Sequence, residues 1–91
     1  MPVLPGAAWE LSPSVSLRPE PFGALAYDFV TRRLSFLKSP TLVDVVRRLG
    51  EADDVEDALL GAGVPAAERA RYVAALGTLA ASGIIRERVA A

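Results

Sequence analysis

The chain has 91 residues, is 52% apolar and carries a formal net charge of −1. That allows one small domain with a single core, and it argues against a disordered tail and against a free-standing nucleic-acid module, whose affinity draws on a basic excess. Cys and His are both absent, which excludes disulfides, Cys- or His-ligated metal centres, thiol nucleophiles and imidazole acid–base chemistry.

The start, Met1-Pro2-Val3-Leu4-Pro5-Gly6, lacks the basic flank and apolar stretch of a signal peptide. The longest uncharged run, Tyr72 to Ile85, is shorter than the about 20 residues that span a bilayer. The expectation is a cytoplasmic protein without a membrane partner. Residues 1–13 hold Pro2, Pro5 and Pro13 and read as an irregular arm, pinned by the alternating Trp9 and Leu11. Ser14 to Arg18 alternates, with Val15 and Leu17 on one face, and reads as a first strand that Pro19-Glu20-Pro21 interrupts. Gly23 to Val30 reads as a second strand with Leu25, Tyr27 and Phe29 on one face, and Thr31-Arg32 as the hairpin tip. Leu34 to Leu37 reads as a third strand, with Leu34 and Phe36 on one face and the charges of Arg33 and Lys38 at its ends.

Helical patterns follow. Ser39 suits an N-cap and Pro40 the first helical position, and Leu42, Val45, Val46 and Leu49 then recur at helical spacing up to Gly50. A second helix starts in the acidic run Asp53 to Asp57, where Asp53 and Glu56 fit a capping box, and stops at Gly61 and Gly63. Pro65 opens a third helix with an apolar stripe of Tyr72, Val73, Leu76, Leu79 and Ala80. Gly83 fits the left-handed position after it, with Ile84 folding back on Leu79. Strands followed by helices predict an α+β domain, winged-helix-like, with a three-stranded antiparallel sheet followed by three helices. One domain covers 1–91: the arm over 1–13, strands over 14–38, helices over 39–85 and a tail over 86–91.

Little here could do chemistry. The acids of the second helix lack the alternating ligands and glycine of a calcium loop. Gly61-Ala62-Gly63 follows a helix rather than a strand and has no GK[ST] sequel. Lys38, the sole lysine, is the only base available to activate a serine, and its neighbour Ser39 is better explained as a cap. The expectation is a protein that is not an enzyme and needs no cofactor. Arg69 and Arg71 lie in the first turns of the third helix, against its dipole, which points to a partner. For DNA, that helix has few side chains able to read base edges, and the acids from Glu51 to Asp57 repel phosphate. The third strand offers another site. Left at a sheet edge, Arg33, Leu34, Ser35, Phe36, Leu37 and Lys38 could accept an extended peptide as an added strand. The third helix would then border the groove with Arg69, Tyr72, Val73 and Leu76, and Arg69 could pair with an acidic side chain. The competing reading makes Leu34, Phe36, Val73 and Leu76 ordinary core. An open edge would also let two copies pair as a homodimer.

The run Val15-Ser16-Leu17-Arg18-Pro19-Glu20-Pro21-Phe22-Gly23-Ala24-Leu25-Ala26-Tyr27 strongly resembles the mycofactocin precursor-peptide chaperones. So does Thr31-Arg32-Arg33-Leu34-Ser35-Phe36-Leu37-Lys38-Ser39-Pro40, and less specifically the Ala-rich stretch from Arg71 to Arg86. Asp28 and Val30, in the hairpin, depart from that pattern. The layout also resembles, more distantly, the pyrroloquinoline quinone chaperone and other recognition elements for ribosomally made, modified peptides. The resemblance implies that the leader of a precursor peptide binds as a strand between the third strand and the third helix. It also implies handover to a radical S-adenosylmethionine maturase that carries the iron–sulfur chemistry. The alternatives are a winged-helix DNA-binding or regulatory protein and a structural subunit of an enzyme complex. Under the peptide reading, a charge or proline at Ser35 or Leu37 is expected to break affinity and spare the fold.

Overall fold

The computed structural model describes residues 3, 4 and 6–88. The expectations for Met1, Pro2 and Pro5 of the arm, and for 89–91 of the tail, lie outside the described residues. The elements in chain order are β1 (Trp9–Leu11), β2 (Val15–Glu20), β3 (Gly23–Asp28), β4 (Leu34–Leu37), α1 (Pro40–Leu49), α2 (Val55–Gly61), a 3-10 turn (Ala66–Glu68), α3 (Arg69–Ala81) and β5 (Ile85–Glu87). The expected α+β arrangement is present: β2, β3 and β4 form an antiparallel sheet in that order, and three helices follow.

Several local expectations need correction. The first strand does not stop before Pro19 but runs through it to Glu20, with Pro19 opposite Ala24. The bond from Phe29 N–H to the Ser14 carbonyl sets the phase of this pair, so even-numbered residues of β2 bond to β3. Pro19 therefore turns its missing donor to the open side of an edge strand, where no ladder bond is lost. The second strand ends at Asp28, two residues short of Val30. The buried Asp28 carboxylate accepts the N–H of Val30 (2.9 Å) and of Thr31 (3.2 Å), which starts the turn early and leaves Arg32 at φ 62°.

The arm is not irregular throughout. Trp9–Leu11 pairs antiparallel with Ile85–Glu87, and Ser12 Oγ donates to the Gly83 carbonyl at 2.6 Å. Three residues are too few to show a period, and the partner strand lies at the other end of the chain. The cap of α2 is Asp54 rather than Asp53: its carboxylate accepts Asp57 N–H at 2.8 Å, and the Asp57 carboxylate reaches back to Asp53 N–H at 3.3 Å. Pro65 opens the 3-10 turn that leads into α3, not α3 itself.

Other local readings match. Ser39 Oγ caps α1 by accepting Leu42 N–H at 3.3 Å, and Pro40 is the first helical residue. Gly83 has φ 78°, and Ile84 N–H donates to the Leu79 carbonyl at 2.9 Å, which closes α3 as a Schellman ending does. The core lies between the sheet and the helices. It contains Val45, Val46 and Leu49 of α1, Val55 and Leu59 of α2, Leu76 and Leu79 of α3, and Leu37, Ile84 and Ile85. At α1 the inner face of β3 presents Ala24 and Ala26, both fully buried, so the helix can pack closely across the sheet. Leu25 and Tyr27 do share a face, as do Leu34 and Phe36, but it is the outer one.

Candidate functional site

Among the described residues β4 pairs only with β3, so one side of it is open. The bond from Asp28 N–H to the Arg33 carbonyl (2.9 Å) and the register Tyr27–Leu34, Leu25–Phe36 determine which groups are free. Ser35 and Leu37 bond inward to β3. Leu34 and Phe36 turn their N–H and C=O groups to the open edge. The same phase holds on the other side of β3, whose odd-numbered residues bond to β2. The usable backbone of the site thus belongs to Leu34 and Phe36.

Their side chains point away from the core, with Leu34 53% and Phe36 58% exposed. Phe36 meets Phe22 with ring centroids 6.1 Å apart. Beside them on the outer face, Ser16, Arg18, Leu25, Tyr27 and Leu34 line a shallow depression. Where β4 runs into α1, a cleft of about 300 Å³ opens towards α3, lined by Lys38, Ser39, Leu42, Arg71, Tyr72 and Ala75. The Arg71 guanidinium sits 5.7 Å from the centre of the Tyr72 ring, within cation–π range.

The structure therefore brings Lys38 and Tyr72 together in one cleft at the end of β4. Val73 is half-buried against the core and Leu76 is fully buried within it, so the core reading holds for Leu76 and fails for Leu34 and Phe36. Leu37 is fully buried as well, and Arg33 is exposed at the head of β4. Arg69 pairs with Glu56 of α2 at 2.6 Å and does not line the cleft. A proline at Ser35, or a charge at Leu37, would strike the hairpin or the core; the positions that test the edge alone are Leu34 and Phe36.

Sequence reasoning left Ser39, Leu42, Arg71 and Ala75 out of the site. Arg71, Tyr72 and Ala75 share a helix face by their spacing, so the signal was there, but only the packing of α3 shows that this face looks at Lys38. Among the described residues no group of three or more Asp, Glu, Cys or His side chains could hold a metal ion, and no helix is long and apolar enough to cross a membrane. The Asp28 carboxyl titrates away from its ordinary value. Burial pushes its carboxyl up, but donors from the Val30 backbone, the Ser14 hydroxyl and the Thr31 backbone and hydroxyl outweigh that, and hold it below the ordinary 3.8.

A family model described as the peptide chaperone MftB family matches residues 8–86. Three curated relatives are similar, each named peptide chaperone MftB. That of Mycobacterium tuberculosis is 46% identical over 92% of this chain and 77% of its own length. That of Mycolicibacterium smegmatis is 48% identical over 89% and 79%, and that of Mycobacterium ulcerans 49% identical over 89% and 74%. The role in those names is non-catalytic. No solved structure matches the chain.

Proposed function

The chain belongs to the peptide chaperone MftB family, and on that premise we propose that it binds the leader of a ribosomally made precursor peptide as a strand added to β4. The open edge of β4 carries this reading. Leu34 and Phe36 offer two N–H and two C=O groups to an incoming backbone, and the cleft beside them is walled by α3. Main-chain bonds supply affinity that tolerates sequence, and the side chains on either side of the added strand supply selectivity. Lys38, Tyr72 and Val73 border the path; Leu37 and Leu76 support it from the core, and Arg69 braces α3 against α2. The chaperone would then present the peptide to a radical S-adenosylmethionine maturase in mycofactocin biosynthesis, in the cytoplasm and with no cofactor of its own. With no peptide present, the same edge is open to a second copy.

The test is a backbone NMR titration of the labelled protein with synthetic leader peptide. Saturable shifts at Leu34, Phe36 and the Arg71–Leu76 face of α3 support the reading. Saturable shifts confined to the hairpin tip or to α2, or none at high peptide concentration, would sink it.

A further inference from the structure

The cleft at the end of β4 has apolar walls and a cationic rim. Lys38, just past β4, reaches it from one side and Arg71 of α3 from the other, with Leu42, the Tyr72 ring and Ala75 between. Lys38 is exposed and, among the described residues, forms no ion pair within 4.0 Å. Arg71 pairs with Glu68 on the preceding turn, yet its side chain stays 73% exposed. A guanidinium has five N–H donors, and an exposed pair of this kind is weak, so most of that capacity remains for a ligand. α1, capped by Ser39, also begins here, and its amino-terminal end adds positive potential. No acid lines the cleft. The densest acidic run, Glu51 to Asp57, leads into α2 instead. The net charge of −1 thus conceals a cationic site.

We infer that this cleft seats a side-chain carboxylate of the bound peptide, so that the site selects an extended apolar segment carrying an Asp or Glu where the added strand passes Lys38 and Arg71. The inference rests on the strand-addition reading. Pairing to Leu34 and Phe36 sets the register of the peptide in steps of two residues. Lys38 is two residues past Phe36, so the carboxylate falls about two residues beyond the peptide position that pairs with Phe36, at roughly 3.3 Å per residue. The apolar walls of Leu42, Tyr72 and Ala75 take up the stem of the acidic side chain, and the exposed heads of Lys38 and Arg71 meet its carboxylate.

The experiment measures the affinity of a fluorescein-labelled synthetic leader peptide by anisotropy, at low and high salt. Each acidic residue of the peptide is replaced in turn by its amide. The proteins are wild type, Lys38→Gln, Arg71→Gln and Phe36→Pro, all checked for fold by circular dichroism. One amide replacement is expected to weaken binding about tenfold, and each Gln variant by a similar factor, as for a hydrogen bond to a charged group. That same amide peptide should lose nothing further on the Gln variants, since the pair is already broken. If the Gln variants bind like wild type, or no single amide replacement matters, the carboxylate seat is wrong; a loss at Phe36→Pro then shows that strand addition survives without it. If Phe36→Pro binds like wild type, strand addition fails and this inference with it.

Discussion

A Cβ atom built on Gly23 would lie 2.0 Å from the carbonyl oxygen of Leu37. Gly23 opens β3 at φ 150°, where the chain crosses the end of β4, and no side chain fits between the two backbones. Leu37 is the buried anchor of β4 and its open edge, so this close approach holds β4 in position. Gly23→Ala is expected to cost about 2 kcal/mol or more, because backbone must move and the dihedral is strained as well. Urea denaturation checks the loss, and the NMR shifts should concentrate on β4.

Proline substitutions should separate the two sides of β4. Leu34→Pro and Phe36→Pro remove donors that point to the open edge, so the fold should survive while peptide affinity falls at least about tenfold, the value of one main-chain bond near the upper end of its range. Ser35→Pro removes a donor to β3 and should unfold the hairpin. Phe36→Ala, which keeps the donor, isolates the part played by the ring. Circular dichroism beside peptide titration distinguishes these cases.

The turn after β3 should be acid-sensitive. The pKa of Asp28 is lowered in the folded state, so its ionised carboxylate stabilises the hairpin. That contribution is fully present above the ordinary value near 3.8 and is lost as pH falls through the lower folded value. Asp28→Asn should flatten the fall in stability across that window. The amide resonances of Val30 and Thr31, followed from neutral pH downwards, report the same event locally.

Leu76 and Arg69 should act on stability rather than as direct peptide contacts. Leu76→Ala empties a fully buried position and is expected to cost about 2–5 kcal/mol, read by thermal or urea unfolding. Arg69→Gln breaks a half-exposed pair with Glu56 and should cost no more than about 1 kcal/mol. Its peptide affinity should stay within about twofold of wild type, because Arg69 does not line the cleft. A large affinity loss at Arg69→Gln would move the groove towards α2.

Much of the fold was legible because its signals are local. Ser39-Pro40 marks the start of α1, Gly83 the end of α3, and the spacing of Val45, Val46 and Leu49 the buried side of α1; each depends on groups within a turn or two. The misreadings have local causes too. Pro19 reads as a breaker because its neighbours do not say which way its nitrogen faces. Phe29 and Val30 read as strand because the alternation does not show that the Asp28 carboxylate starts the turn there.

The sequence alone determined that this is an α+β chain without the groups for disulfide, thiol or imidazole chemistry, and that its third strand carries Leu34 and Phe36 on one face. Residue types and short spacings suffice for that. Only the tertiary structure decided that this face is the outer one, that the backbone of Leu34 and Phe36 is the free part of the edge, and that Arg71 rather than Arg69 shares a cleft with Lys38. Those outcomes depend on the phase of the β3–β4 ladder and on how α3 packs. The hydrogen bonds and contacts that set them join residues far apart in the chain, so no local pattern contains them.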